Sequence, residues 1–178
     1  MMKKYIIIVL ALAGLVTGCK KKQEAAPCTL SAGSTIASPT EEAMVTAYLS
    51  ANTITNAIEL DNCGMYYVIT APGGSKKPAQ CSQITVKYVG SLANGTIFDQ
   101  TSGTNSATFF LNSSDPSRVF IEGWRRGLPL IGEGGKIRLF IPPALGYGSA
   151  NFINPSTGTV IIPGNSMLIF DIELISVS

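Results

Sequence analysis

Apolar and polar positions change rhythm several times along this chain. Behind Lys3 and Lys4, Tyr5 to Val16 is apolar throughout apart from Gly14. Residues 20–39 carry Lys, Ala, Ser, Thr and Pro with few large apolar groups, too little burial to offset ordering entropy, and read as a flexible tether. Pro39-Thr40-Glu41-Glu42 has the form of a helix start, with acids where the dipole favours them. Met44, Val45, Tyr48 and Leu49 follow at helical spacing and predict a helix over 40–50, packed on its own domain or on a second copy.

Beyond Cys63 the period becomes that of strands. Residues 65–71 are rich in Tyr, Val and Ile and stop at Pro72-Gly73-Gly74. Ile84, Val86 and Tyr88 alternate with Thr85 and Lys87, and Ala93-Asn94-Gly95 turns the chain into Thr96-Ile97-Phe98-Asp99. Ala107 to Leu111 reads as a further short strand. Ile137, Leu139 and Ile141 alternate with Lys136, Arg138 and Phe140 up to Pro142-Pro143. Leu168, Phe170, Ile172 and Leu174 form a last inward row, with Asp171 and Glu173 facing away. One short helical stretch, 121–130, lies among the strands, limited by Gly127 and Pro129. Antiparallel strands around a single short helix make an α+β fold, preceded by a short N-terminal helical segment.

Charge and composition narrow the chemistry. Lys and Arg total 13 against 11 acidic residues in 178; setting aside Lys3 and Lys4 leaves 11 against 11. A neutral body without a basic stripe argues against nucleic acid. The chain contains no histidine, which excludes Ser–His and Cys–His catalysis and His-ligated metal. No metal site or cofactor is expected.

The N-terminal apolar run falls short of the roughly 20 residues of a permanent span, so residues 1–18 read as a signal peptide. Its end, Val16-Thr17-Gly18-Cys19, resembles a bacterial lipobox, with Val16 where leucine is commoner. That resemblance implies acylation of Cys19 and a domain held on the cell envelope through its lipid. Lys20 after the cysteine points, by analogy, to the outer membrane facing the periplasm.

Four blocks in order resemble the FKBP-type peptidyl-prolyl cis-trans isomerases. They are Val86-Lys87-Tyr88-Val89-Gly90 with Gly95-Thr96-Ile97-Phe98-Asp99; Phe120-Ile121-Glu122-Gly123-Trp124; Leu145-Gly146-Tyr147-Gly148 with Ile161-Ile162-Pro163; and the run from Leu168 to Leu174. The domain so delimited is 64–178, after a lipidated tether, 19–39, and a helical segment, 40–63. The resemblance implies an FKBP-like twisted antiparallel sheet curled around one short helix, with an apolar pocket between. It also implies rotation of X-Pro bonds in exported polypeptides, and affinity for macrolide FKBP ligands.

By the same resemblance Trp124 is the pocket floor and Tyr88, Phe98 and Phe170 are its walls. The Tyr147 hydroxyl and the Ile121 N–H would bind substrate carbonyls, and Asp99 would sit by the reacting bond in a network with Tyr88. Phe120, Ile161 and Ile162 also fall at pocket positions. The chain departs from the family in several places. Ala107 stands where an aromatic wall is usual, no arginine lies between Asp99 and Ala107 to pair with the aspartate, and the stretches 112–119 and 149–160 are lengthened. In the second of these Phe152 is isolated among polar residues; it either pins the loop locally or folds over the pocket mouth as a substitute wall. Ala107 and the missing arginine keep two other functions open: a proline-binding module or chaperone without catalysis, and a scaffold for contacts made by the loops.

With Cys19 acylated, Cys28, Cys63 and Cys81 remain. Cys63 and Cys81 flank a strand and its return, and a Cys63–Cys81 bridge is favoured over three free thiols, with Cys28 left in the tether.

Overall fold

A computed structural model describes residues 30–112 and 120–178, and the signal stretch, Cys19 and Cys28 lie outside them. The chain runs α1 (Pro39–Ala51), β1 (Ile58–Glu59), β2 (Tyr66–Ala71), β3 (Gln83–Leu92), β4 (Ile97–Gln100) and β5 (Ala107–Phe110). Then come α2 (Glu122–Gly127), continued by a 3₁₀ turn (Leu128–Leu130), β6 (Lys136–Ile141), β7 (Phe152–Ile153), β8 (Val160–Ile162) and β9 (Leu168–Val177). Seven strands form one antiparallel sheet in the order β1-β2-β6-β9-β3-β4, with β5 also on β3; β7 and β8 make a separate hairpin.

The period-2 rows meet across this order. Ile137 faces Ile172, Leu139 faces Phe170, Ile141 faces Leu168 and Val86 faces Leu174. All eight are buried and join Trp124 and Leu128 in the main core, so α2 lies against this concave face. The opposite face carries the intervening residues. At one end these are cross-strand ion pairs, Arg138 with Asp171 at 2.6 Å and Lys136 with Glu173 at 3.5 Å. At the other end α1 covers the sheet, setting Val45 and Leu49 on Phe140, Met167 and Ile169. Phe140 alternates with the inward residues as expected, yet it is fully buried, because the helix supplies a second core layer. Val45, Tyr48 and Leu49 of the α1 stripe thus pack on the chain's own domain, while Met44 stays 38% exposed.

A capping box starts α1: Glu41 N–H donates to Ser38 Oγ, and Ser38 N–H to Glu41 Oε2 at 2.8 Å. The other oxygen, Glu41 Oε1, accepts from Ala144 N–H at 2.9 Å. Burial would raise the Glu41 carboxyl, but the donors from Ser38 and Ala144 outweigh it and hold the group below its usual range.

Two expectations need correction. The tether does not extend to Pro39: Ala37 is buried, its N–H bonded to Cys63 O at 3.0 Å, and Ser31 O accepts from Asn112. Nor are Cys63 and Cys81 bridged. Cys63 is a buried free thiol, whereas Cys81 is disulfide-bonded. The reason is topological. The strand after Cys63 is β2 and the strand after Cys81 is β3, and β6 and β9 stand between them. No helix among the described residues is long and apolar enough to cross a membrane.

Candidate active site

A cavity of about 570 Å³ opens where β3, β4, β5 and β9 curl over α2. Trp124 is the hub of its aromatic lining. Phe120 stacks on the indole at 5.1 Å and 11°, while Tyr88 and Phe170 meet it edge-on at 5.3 Å and 5.2 Å. Edge-to-face and offset aromatic pairs each contribute about 0.5–1.5 kcal/mol beyond burial, so the cage is held by ring geometry as well as area.

Backbone spacing admits these rings at one glycine in particular. Gly90 on β3 faces Phe170 on β9 and Asp99 on β4. A Cβ there would lie 2.7 Å from Phe170 Cε1 and 2.8 Å from Phe98 Cε2. Without it, Phe98 and Phe170 meet edge-on at 5.5 Å and close one wall.

Ile121 caps α2 from an extended conformation, its carbonyl taking the Trp124 N–H at 3.1 Å, and it lines the cavity. The N–H groups that open a helix have no acceptor within it.

Polar groups at the rim are few. Tyr88 Oη donates to Asp99 Oδ2 at 2.6 Å, a charge-assisted bond that anchors the carboxylate without an arginine. Burial first, and then this bond to Asp99, push the Tyr88 phenol far above its ordinary range. Burial and the charge of Asp99 raise the Tyr147 phenol as well. Both hydroxyls are therefore donors at neutral pH. No cluster of three or more Cys, Asp or Glu placed to hold a metal occurs among the described residues.

Tyr88, Phe98, Asp99, Phe120, Ile121, Trp124, Tyr147 and Phe170 are thus brought together around one cavity. Three other candidates are not part of its lining. Ile162 is buried in the core and Ile161 packs at the core's margin. Phe152 pairs with Ile162 in the β7–β8 hairpin and stands 44% exposed, its ring 5.0 Å from Tyr147. It braces the rim from outside and does not form the substitute wall.

That wall is Phe109, which the sequence reading missed. It lies one strand period beyond Ala107, on the same face of β5, edge-on to Phe120 at 4.7 Å and 6.4 Å from both Trp124 and Tyr88. Gln83, Thr108 and Phe110 complete the lining on that side. The alternation in Ala107-Thr108-Phe109-Phe110 was the available signal: an aromatic two residues on keeps the same face. The two departures that left a pocket without catalysis open, a missing wall and an unpaired aspartate, are both made good within the structure.

A short helix held in the hollow of an antiparallel sheet, with an aromatic cavity between them, defines an FKBP-like domain. Residues 74–175 match the family model of the FKBP-type peptidyl-prolyl cis-trans isomerases, and the chain belongs to that family. FkpA of Buchnera aphidicola subsp. Schizaphis graminum is 46% identical over 115 residues, 64% of this chain and 41% of that protein. FkpA of Escherichia coli K12 is 37% identical over 120 residues, covering 67% and 40%. The chain thus spans less than half the length of these relatives. Among solved structures, a peptidyl-prolyl cis-trans isomerase from Pseudomonas syringae pv. tomato superposes with a TM-score of 0.62 at 29% identity, over 82% of this chain and 99% of that one. Escherichia coli FkpA gives 0.61 at 32% identity, over 78% and 60%.

Proposed function

We propose that the protein is a peptidyl-prolyl cis-trans isomerase acting on proline-containing exported polypeptides. The observation that carries this is the ring of aromatic side chains around Trp124, open on one side to solvent. Amide resonance imposes a barrier of about 18–20 kcal/mol on rotation, and uncatalysed X-Pro exchange takes tens to hundreds of seconds. No bond is made or broken, so neither nucleophile nor metal is required. A site accelerates rotation by taking the amide out of water and binding the twisted form better than either planar one. In this chain Trp124 underlies the proline ring, with Tyr88, Phe98, Phe109 and Phe170 around it. The Tyr147 hydroxyl and the Ile121 N–H donate to the flanking carbonyls, and Asp99, held by Tyr88, faces the carbonyl of the rotating bond. Macrolide ligands of the family would occupy the same apolar volume. The test is refolding of a protein limited by a proline isomerisation: catalytic amounts of the chain accelerate the slow phase, and no acceleration would contradict the reading.

Envelope attachment is the second part of the proposal. Cys19 becomes an acylated N-terminus, and each methylene buried in lipid contributes about 0.8 kcal/mol, so two or more chains anchor a small domain stably. The support is the apolar run that ends at a small-residue site before a cysteine. Outer-membrane delivery facing the periplasm follows from Lys20. Cys19→Ser should move the protein from the membrane fraction to the soluble one; retention on the membrane with the signal removed would contradict the anchor.

A further inference from the structure

The segment just before α1 reaches across the domain to the first residue of α2. Thr35 donates twice to the Glu122 carboxylate, from its N–H to Oε1 at 2.8 Å and from its hydroxyl to Oε2 at 2.6 Å. Arg126, one turn along α2, gives Nη1 to Thr35 O at 2.9 Å and lies 3.5 Å from Glu122 Oε1. Glu122 and Arg126 side chains are only 11% and 10% exposed. Gly33 lies flat across the carboxylate: a Cβ there would be 2.3 Å from Glu122 Cδ, and its φ of +108° lies where residues with a Cβ are strained. Two residues back, Ser31 O accepts from Asn112 Nδ2 at 2.7 Å, just beyond the end of β5.

These contacts join the two elements that face each other across the cavity. Asn112 follows the strand that carries Phe109; Glu122 stands between Ile121 and Trp124. The helix has six residues, and its cap residue Ile121 makes no side-chain capping bond. A helix that short does not hold its own position. A carboxylate largely withdrawn from water with several matched donors does provide a fixed point, because losing any one of them leaves a poorly solvated charge under-satisfied.

We propose that Ser31 to Thr35 is a positioning strap for the catalytic cavity, gripping Glu122 so that the Ile121 N–H and the Trp124 ring keep their distance from the β5 wall. Thr35 and Glu122 are positioning residues; neither lines the cavity. This rests on the isomerase reading for its effect on rate, but its structural content does not.

The test uses the full chain with Thr35→Val, which keeps the N–H and shape and removes the hydroxyl, and Thr35→Ser, which restores it. Trp124 is the chain's single tryptophan, so intrinsic emission reports the cavity floor alone. Thr35→Val should shift that emission at temperatures well below melting and lower kcat/KM on a prolyl tetrapeptide about three- to tenfold, since small misplacements at a site are costly. Thr35→Ser should match wild type in both. Should Thr35→Val fail to fold, Glu122→Gln, isosteric but uncharged, is read in the same way. Unchanged emission and kcat/KM, even with a lower Tm, would overturn the strap. If the wild-type chain itself shows no isomerase activity, the functional reading falls and the emission alone decides the strap.

Discussion

Tyr88 donates its hydroxyl to Asp99 across 2.6 Å, from the middle of one strand to the end of its neighbour, and the same ring meets Trp124 edge-on. One side chain thus forms wall and electrostatic anchor together. Tyr88→Phe keeps the wall and releases Asp99. A hydrogen bond to a charged group contributes about 1.5–3 kcal/mol, with the lower part of that range appropriate at an exposed rim. Isomerase kcat/KM should fall about tenfold, and the melting temperature should fall by only a few degrees, as the loss of one rim hydrogen bond implies. Wild-type activity in Tyr88→Phe would show that fixing Asp99 is immaterial.

Phe109 and Ala107 offer a paired comparison on one strand. Phe109 touches Phe120, Trp124 and Tyr88, whereas Ala107 is outside the cavity lining. Full burial of a phenylalanine makes its truncation cost about 3–5 kcal/mol, and a half-buried one about 2. Phe109→Ala should lose that stability and most activity, while Ala107→Phe should leave activity near wild type. Thermal melts and tetrapeptide kinetics on both variants decide it.

The pH dependence contributed by the site follows from its two phenols. Both are raised, Tyr88 by burial and its bond to Asp99, Tyr147 by burial and the charge of Asp99. A raised folded-state value means the unfolded chain releases these protons first as pH climbs. Their stabilisation is therefore fully present below the unfolded value of about 10 and is lost as pH rises beyond it towards the folded values. Stability measured by denaturant between pH 8 and 12 should fall most steeply from about pH 10 upward, with the Cys63 thiol and the Tyr66 phenol, both also raised by burial, adding to the fall, and less steeply in Tyr88→Phe. A fall already complete by pH 9 would contradict this.

How much of this was legible depended on whether a feature was local. The alternation in β3, β6 and β9 announced the inward rows, and the four sequence blocks announced Trp124, Tyr147 and Asp99. Pro39-Thr40-Glu41-Glu42 and the apolar stripe behind it announced α1 to within a residue at each end, and the Ser38 cap emerged only in the structure. What α1 covers was not local: Phe140 alternates like an outward residue, and only the docked helix buries it. The β7–β8 hairpin was read as loop because its two short strands, Phe152–Ile153 and Val160–Ile162, are separated by polar turn residues. β1, two residues long, leaves no period to detect. The cysteine pairing failed for want of strand order, since adjacency in sequence placed together two strands that the sheet separates by β6 and β9.

Cysteine chemistry separates accordingly. Cys63 is a buried thiol, raised by that burial, and behaves as core. Cys81→Ser should remove the disulfide and cost about 2–4 kcal/mol, the usual range for a native bridge. Reductant should lower the melting point of wild type and of Cys63→Ala alike, and leave Cys81→Ser unmoved. A Cys63→Ala protein indifferent to reductant would place the bridge elsewhere.

The central claim is that rotation is catalysed in the aromatic cavity with help from hydrogen-bond donors at its rim, the Tyr147 hydroxyl among them. Tyr147 lines that cavity with a raised phenol and a ring braced by Phe152. The most direct measurement is the cis-to-trans exchange rate of a prolyl tetrapeptide with wild type and with Tyr147→Phe, at equal melting temperatures. The account predicts catalysis by wild type and a loss of about tenfold in the variant, the size expected for one hydrogen bond of about 1–1.5 kcal/mol. Equal rates for the two proteins, or no acceleration by wild type, would contradict it.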